Sequence, residues 1–141
     1  MDLIGKALEI ATAAHKGAKD RGGNDYVLHP ITVALHCKTN EEKTVALLHD
    51  VVEDTAITLD DLRKYFPERI VEAVDAITMR KEEKTARWGY IQRVKRNRIA
   101  RRVKTEDLKH NSDLSRIPNP TEEDYERAER YKQELAFLKQ D

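Results

Sequence analysis

ALLHDVVEDT, residues 46–55, sets four polar side chains into an otherwise apolar run, and the reading of that run decides the fold. Taken as one helix with His49 at zero, Glu53 lies at about 40°, Asp50 at about 100° and Asp54 at about 140°. Val45, Leu48, Val51 and Val52 take the remaining arc and can face a core. The polar arc must then meet either solvent or a site. An imidazole beside a carboxylate, with two more carboxylates one turn on, is half a ligand set for a divalent cation with bound water.

Helix signals continue outward from this run. Asn40, Glu41 and Glu42 suit the cap and first turn of a helix reaching about Asp54. Pro30 suits the first turn of a helix to about Lys38 and biases His29, before it, toward extended backbone. Asp2 caps a helix to about Lys16, with Leu3, Ile4, Ala7, Leu8, Ala11 and Ala14 at helical spacing, and GAKDRGGNDY breaks it. Downstream, Thr58 with Asp61 forms a capping box for a short helix to Tyr65, and Pro67 opens a helix to about Thr78. A charged loop near 80–85 leads into helix to about Leu114, with Lys95 as the candidate break. A second capping box, Thr121 with Asp124, starts a last helix carrying Tyr125, Ala128, Tyr131, Leu135 and Leu138 on one face. No segment alternates like a strand, and no Gly-rich phosphate loop is present. The expectation is an all-α, compact multi-helix bundle of about seven helices, without a P-loop or Rossmann unit.

The chain of 141 residues reads as a single domain, 1–141, with 26 basic and 26 acidic residues. The balance is uneven along the chain: residues 41–79 carry a net −6 and residues 80–116 a net +8. Opposite charges on helix surfaces can simply pair, but the same division suits a cation site beside an anionic substrate. Cys37 is the only cysteine, which excludes internal disulfides and thiolate clusters. No apolar run reaches the length of a membrane span, and the N-terminus lacks the pattern of a signal peptide, so the expected location is cytoplasmic with no membrane partner.

Two further segments carry candidate chemistry. GNDYVLHP, residues 23–30, ends on His29 at a helix entrance, and in NRIARRVKTEDLKHN the residues Asn97, Lys104, Asp107 and Asn111 form one helical stripe. With AAHKG at 13–17, ALLHDVVEDT at 46–55 and DLKHN at 107–111, the chain resembles the HD-domain metal-dependent phosphohydrolases. It is most similar to the hydrolase domain of the RelA/SpoT family and its small stand-alone relatives, which remove the 3′-pyrophosphate of (p)ppGpp. The resemblance covers about residues 3–115, so the helix near 121–139 lies beyond it.

This resemblance implies an HD-domain bundle in which His29, His49, Asp50 and Asp107 hold a divalent metal, Mn2+ by expectation. It implies that Glu53 and Asp54 orient and deprotonate the attacking water and that Asn111 contacts substrate. Lys104 and Arg21 are candidates for offsetting phosphate charge, and Tyr26 for meeting the nucleoside base. The expected activity is hydrolysis of a (p)ppGpp-type nucleotide with release of pyrophosphate. The sequence departs from the family pattern at Asp20, where a basic residue is usual, at Gly22, where a serine is usual, and in SDLSRI after Asn111. These changes spare the metal set and alter substrate-reading positions. Two other readings stand beside the first: an HD phosphohydrolase of another nucleotide or phosphate ester, and a non-catalytic nucleic-acid or protein-binding module using RVKRNRIARRVK. The expected partner is a small nucleotide rather than a nucleic acid, and a homo-oligomer is left open. His15 and His110 are read as supporting or packing residues, and His36, Cys37, Trp88 and Tyr90 as helix packing.

Overall fold

Capping chemistry starts most of the helices in the computed structural model, which describes residues 2–141. Asp2 Oδ1 accepts the Gly5 amide at 2.9 Å and starts α1, Leu3–Ala14. Thr39 closes a capping box with Glu42 to start α3, Asn40–Leu48, one residue before the expected cap. The Thr58–Asp61 box starts α5, Leu59–Arg63, and the Thr121–Asp124 box starts α9, Glu122–Lys139, as their spacing predicts. Pro67 is the N-cap of α6, Glu68–Ile77. The set is completed by α2, Leu28–His36, α4, Val51–Asp54, α7, Arg87–Arg96, and α8, Arg98–Asn111. Short 3-10 turns cover Lys81–Lys84 and Leu114–Arg116, and an isolated bridge pairs Lys19 with Asp25. The described residues therefore form an all-α fold.

Among the described residues nine α-helices replace the expected seven, because two of the expected helices are broken. The helix read from 40 to 54 ends at Leu48, turns through His49 and Asp50, and restarts as α4. The second break falls at Asn97, whose side-chain Oδ1 accepts the Ala100 amide at 2.9 Å and caps α8. That role explains an asparagine where a helix interior would disfavour it. His29 also departs from the extended conformation expected before proline. It sits inside the first turn of α2, its amide donating to the Tyr26 carbonyl at 3.0 Å, and Pro30 follows in the same turn, where a missing N–H costs nothing.

Packing centres on α3, which contacts α1, α2, α6 and α8. Val45, Ala46 and Leu48 of α3 and Val51 of α4 are fully buried, and α8 adds Ala100, Val103 and Leu108. Replacing Leu48 by alanine should destabilise the fold by about 3 kcal/mol, the usual cost of a core leucine cavity, read as a lower urea midpoint at unchanged slope.

The last helix covers the core. Ala128 and Leu138 are buried while Tyr125, on the same predicted stripe, is 56% exposed. Glu134, nearly buried, takes a two-point hydrogen bond from Arg87 Nε and a terminal guanidinium nitrogen at 2.5 and 3.0 Å. Arg101 donates to the carbonyls of Leu138 and Gln140 at 2.7 and 2.6 Å, answering the unpaired carbonyls of the α9 C-terminus. Tyr90 is buried with its hydroxyl on the Ile77 carbonyl at 2.6 Å, and Trp88 lies 4.4 Å from Phe137 between ring centres. No helix among the described residues is long and apolar enough to cross a membrane.

Candidate metal centre

Three parts of the chain bring their polar groups to one point. His29 comes from the first turn of α2, His49 and Asp50 from the turn between α3 and α4, and Asp107 from α8. Ligand atoms of His29, His49 and Asp50 lie within 4.8 Å of one another. Asp107 Oδ1 is 2.7 Å from His29 Nε2 and 3.1 Å from His49 Nε2, and Asp50 Oδ2 is also 3.1 Å from His49 Nε2. His29, His49 and Asp107 are buried, and the Asp50 side chain is 19% exposed.

A ring of neighbours orients these four. His49 Nδ1 faces the Ala46 carbonyl at 2.5 Å, which requires the proton on Nδ1 and turns Nε2 inward. His29 Nδ1 meets His110 Nδ1 at 2.6 Å. Burial, with the charges of His29 and Arg116, holds the His110 pKa down at about 4, so a neutral His110 can accept from His29 and leave His29 Nε2 facing inward. Tyr26 donates its hydroxyl to Asp50 Oδ2, and burial beside that carboxylate raises the phenol pKa, so the hydroxyl keeps its proton. Lys104 Nζ donates to Asp107 Oδ2 at 2.9 Å and Asn111 Nδ2 to Oδ1 at 3.2 Å.

Electrostatics argue for a cation here. Burial alone would neutralise Asp107, but the charge of Lys104 and the imidazole hydrogen bonds hold its pKa well below the usual carboxylate range. Burial likewise opposes the charge on Asp50, and His49 overcomes it. Burial disfavours a charged His49, yet the Asp50 charge and the hydrogen bonds that His49 donates to both carboxylates raise its pKa well above the ordinary value. The two carboxylates thus draw positive charge to the point between them. Without an ion that charge is a proton on His49, and a divalent cation would take its place. Two imidazoles and two carboxylates fit such an ion in number, type and direction.

The remaining sequence candidates are placed around this point. Lys104 is buried against Asp107 and Asn111 is bonded to the same carboxylate. Glu53 and Asp54, on exposed positions of α4, stand apart from the bonded cluster. Glu53 Oε1 accepts the Met79 amide at 3.1 Å, tying α4 to the segment after α6. Asp54 has no such tie among the described residues. Partial burial and the charges of Asp50 and Glu53 push its pKa up to about 6. Arg21 donates to Asp124 Oδ2 at 2.5 Å, linking the loop before α2 to the start of α9.

A cavity of about 290 Å³ adjoins the cluster and is lined by His29, Tyr26 and Asn111. Arg127 and Tyr131 of α9 also line it, as do Arg21 and Arg116. Arg116, Arg127 and Tyr131 were not read from sequence as site residues; Tyr131 was placed on the apolar face of the last helix and Arg116 fell within SDLSRI. The signal available was the spacing of four between Arg127 and Tyr131, which puts them on one face of α9. The departures from the family pattern also acquire places. Asp20 Oδ1 accepts the Gly22 and Asn24 amides at 2.8 and 3.0 Å, so this acid braces its own loop. A Cβ on Gly22 would lie 2.4 Å from the Arg116 carbonyl oxygen, which leaves room for glycine alone.

The fold and site thus define an all-helical protein whose His and Asp side chains converge on a place for a divalent metal ion. The profile of the HD domain family matches residues 7–116, and the chain belongs to that family. Among curated relatives, the guanosine-3′,5′-bis(diphosphate) 3′-pyrophosphohydrolase of Borreliella burgdorferi is 40% identical over 79 residues, covering 53% of this chain and 12% of the relative. The protein of the same name from Aquifex aeolicus is 35% identical over 79 residues, covering 53% and 11%. The chain thus spans about an eighth of the length of these relatives. A solved structure described as a metazoan ortholog of SpoT that hydrolyzes ppGpp superposes with a TM-score of 0.79 at 22% identity, covering 98% of this chain and 85% of that one. This likeness establishes the shared fold.

Proposed function

We propose that the protein is a manganese-dependent pyrophosphohydrolase that removes the 3′-pyrophosphate of a (p)ppGpp-type nucleotide. The observation that carries this reading is the cavity itself: His29 of the His/Asp cluster lines it with Tyr26 and Asn111, which bond the cluster carboxylates, and Arg21, Arg116 and Arg127 line it as groups for a polyanion. The names of the matched relatives agree with it.

In this reading His29, His49, Asp50 and Asp107 hold the ion. When bound, the ion supplies Lewis-acid polarisation of phosphoryl oxygen and lowers the pKa of water. Lys104 and Asn111 keep Asp107 ionised and aimed, Tyr26 fixes Asp50, and His110 sets the tautomer of His29. Asp54, whose carboxyl pKa burial and neighbouring acids push up to about 6, takes the proton of the attacking water, while Glu53 anchors α4. Arg127 and Arg21 receive phosphate charge, each exchanging its bond to Asp124 for the ligand. Asn111 and Tyr26 also line the cavity, and Tyr131 offers a ring for stacking. Water adds to the 3′ phosphorus as its bond to the ribose oxygen breaks, so the products are pyrophosphate and the nucleoside 5′-di- or triphosphate with a free 3′-hydroxyl. The last helix, by supplying a cavity wall, belongs to the same functional unit as residues 3–115.

The experiment is pyrophosphate release from ppGpp, pppGpp and ppApp by metal-stripped protein with and without manganese. Release is expected only with manganese. The ratio of the guanine to the adenine substrate tests the loop in which Asp20 serves as a brace. No release from any of the three by folded, manganese-loaded protein overturns the proposal and favours another phosphate ester.

A further inference from the structure

Among the described residues, one buried side-chain polar atom has no hydrogen-bond partner, Nε2 of His15. The other four histidines all make one. His29 and His110 bond each other, His49 bonds Ala46, and His36 Nδ1 bonds the Thr32 carbonyl at 2.9 Å. His15 is only 4% exposed, so solvent does not answer the atom. A buried unpaired nitrogen costs stability, and an aromatic hydrocarbon would fill the same space without that cost.

The local structure gives the ring no task. His15 ends α1, but the cap uses backbone alone: its amide donates to the Ala11 carbonyl at 3.0 Å and its carbonyl accepts the Ala18 amide at 3.0 Å. The ring instead packs on Tyr26, 4.9 Å between centres and tilted 57°, and the Tyr26 hydroxyl holds Asp50. Burial lowers the His15 pKa, and Asp50, His49 and His29 are all near enough for their charges to act on it. The unpaired nitrogen therefore belongs to a neutral, buried ring that is one side chain, Tyr26, removed from Asp50 of the cluster.

We infer that His15 is a positioning residue of the metal centre, its Nε2 hydrogen-bonding a water in the hydration shell of the ion held by His29, His49, Asp50 and Asp107. The inference rests on the metal-centre reading above. A neutral imidazole nitrogen can accept from water made acidic by a nearby cation, and outer-shell partners of this kind stiffen a site without touching the ion. The stability lost in the metal-free chain is recovered on binding.

The test compares His15→Phe and His15→Gln with the unsubstituted protein, by manganese titration calorimetry and by thermal unfolding with and without manganese. His15→Phe keeps the bulk and removes the nitrogen, whereas His15→Gln restores a polar group near the same place. The His15→Phe protein should unfold no lower than the parent when metal-free, yet bind manganese about tenfold or more weakly, with a smaller manganese-induced rise in Tm. His15→Gln should bind within about threefold of the parent. Equal affinity of the parent and His15→Phe, or equal weakening by both substitutions, overturns the inference, since packing alone would then be at work. A parent that binds no manganese overturns the metal-centre reading together with the inference. Loss of affinity in His15→Phe alone upholds the inference whatever nucleotide the protein hydrolyses.

Discussion

Replacing Asp50 by alanine is expected to abolish manganese-dependent pyrophosphate release, a loss of about a thousandfold or more, equivalent to about 4 kcal/mol of transition-state stabilisation. Asp50 Oδ2 is shared by the Tyr26 hydroxyl, His49 Nε2 at 3.1 Å and, more distantly, His29 Nε2 at 4.0 Å. Removing it takes away one of two carboxylates and leaves Tyr26 without an acceptor. The helices should survive, because the Asp50 side chain caps nothing at the start of α4. Helical ellipticity close to that of the parent, with free manganese unchanged on titration by electron paramagnetic resonance, is the expected pair of readings. Full hydrolysis by a folded Asp50→Ala protein would show that the reaction does not use this cluster.

Asp54→Asn should cost about a hundredfold to ten-thousandfold in the rate of the loaded enzyme, the range over which a positioned general base acts. Folding raises this carboxyl pKa to about 6, through burial first and then the charges of Asp50 and Glu53. Activity needs the ionised form, so kcat/KM should rise with pH over a single proton. A cation beside it favours ionisation, so in manganese-loaded protein that rise should fall at or below about pH 6. The same raised pKa has the opposite sense for the stability of the metal-free chain. Its contribution is complete below the unfolded aspartate value of about 3.9 and is lost as the pH climbs through about 6. The Asp54→Asn protein should lack both the acid limb and this part of the pH dependence of Tm. Stopped rates and melting curves across pH 4.5–8 check the two together, about one measurement every half unit. An acid limb unchanged in Asp54→Asn would assign the proton to another group.

Much of the helical punctuation was legible because capping is local. Asp2, Thr58 with Asp61 and Thr121 with Asp124 cap where their spacing places them. Thr39 with Glu42 carried the same signal as strongly as Asn40, and the observed box follows it. The break at His49–Asp50 was not legible. Leu48, His49, Asp50 and Val51 contain no Gly or Pro, and what turns the chain there is satisfied across the fold, by Tyr26 on Asp50 and Asp107 on His49. His29 shows the same override, since a pre-proline residue was drawn into the first turn of α2 while its ring met Asp107, 78 residues away.

The all-α class was set by the sequence itself, and the candidate ligands His29, His49, Asp50 and Asp107 were named by the family resemblance that its motifs carry. Residue type fixes which atoms can ligate, and helix period and caps act within a few residues of themselves. The tertiary structure decided everything that depends on distant partners. It paired Lys104 and Asn111 with Asp107, set His110 behind His29, and left His15 Nε2 unanswered. It also brought Arg127 and Tyr131 of α9 to the cavity and bonded Arg21 to Asp124 across 103 residues. Such contacts are chosen by how helices pack and by which buried polar groups still need partners, and neither quantity exists until the chain is folded.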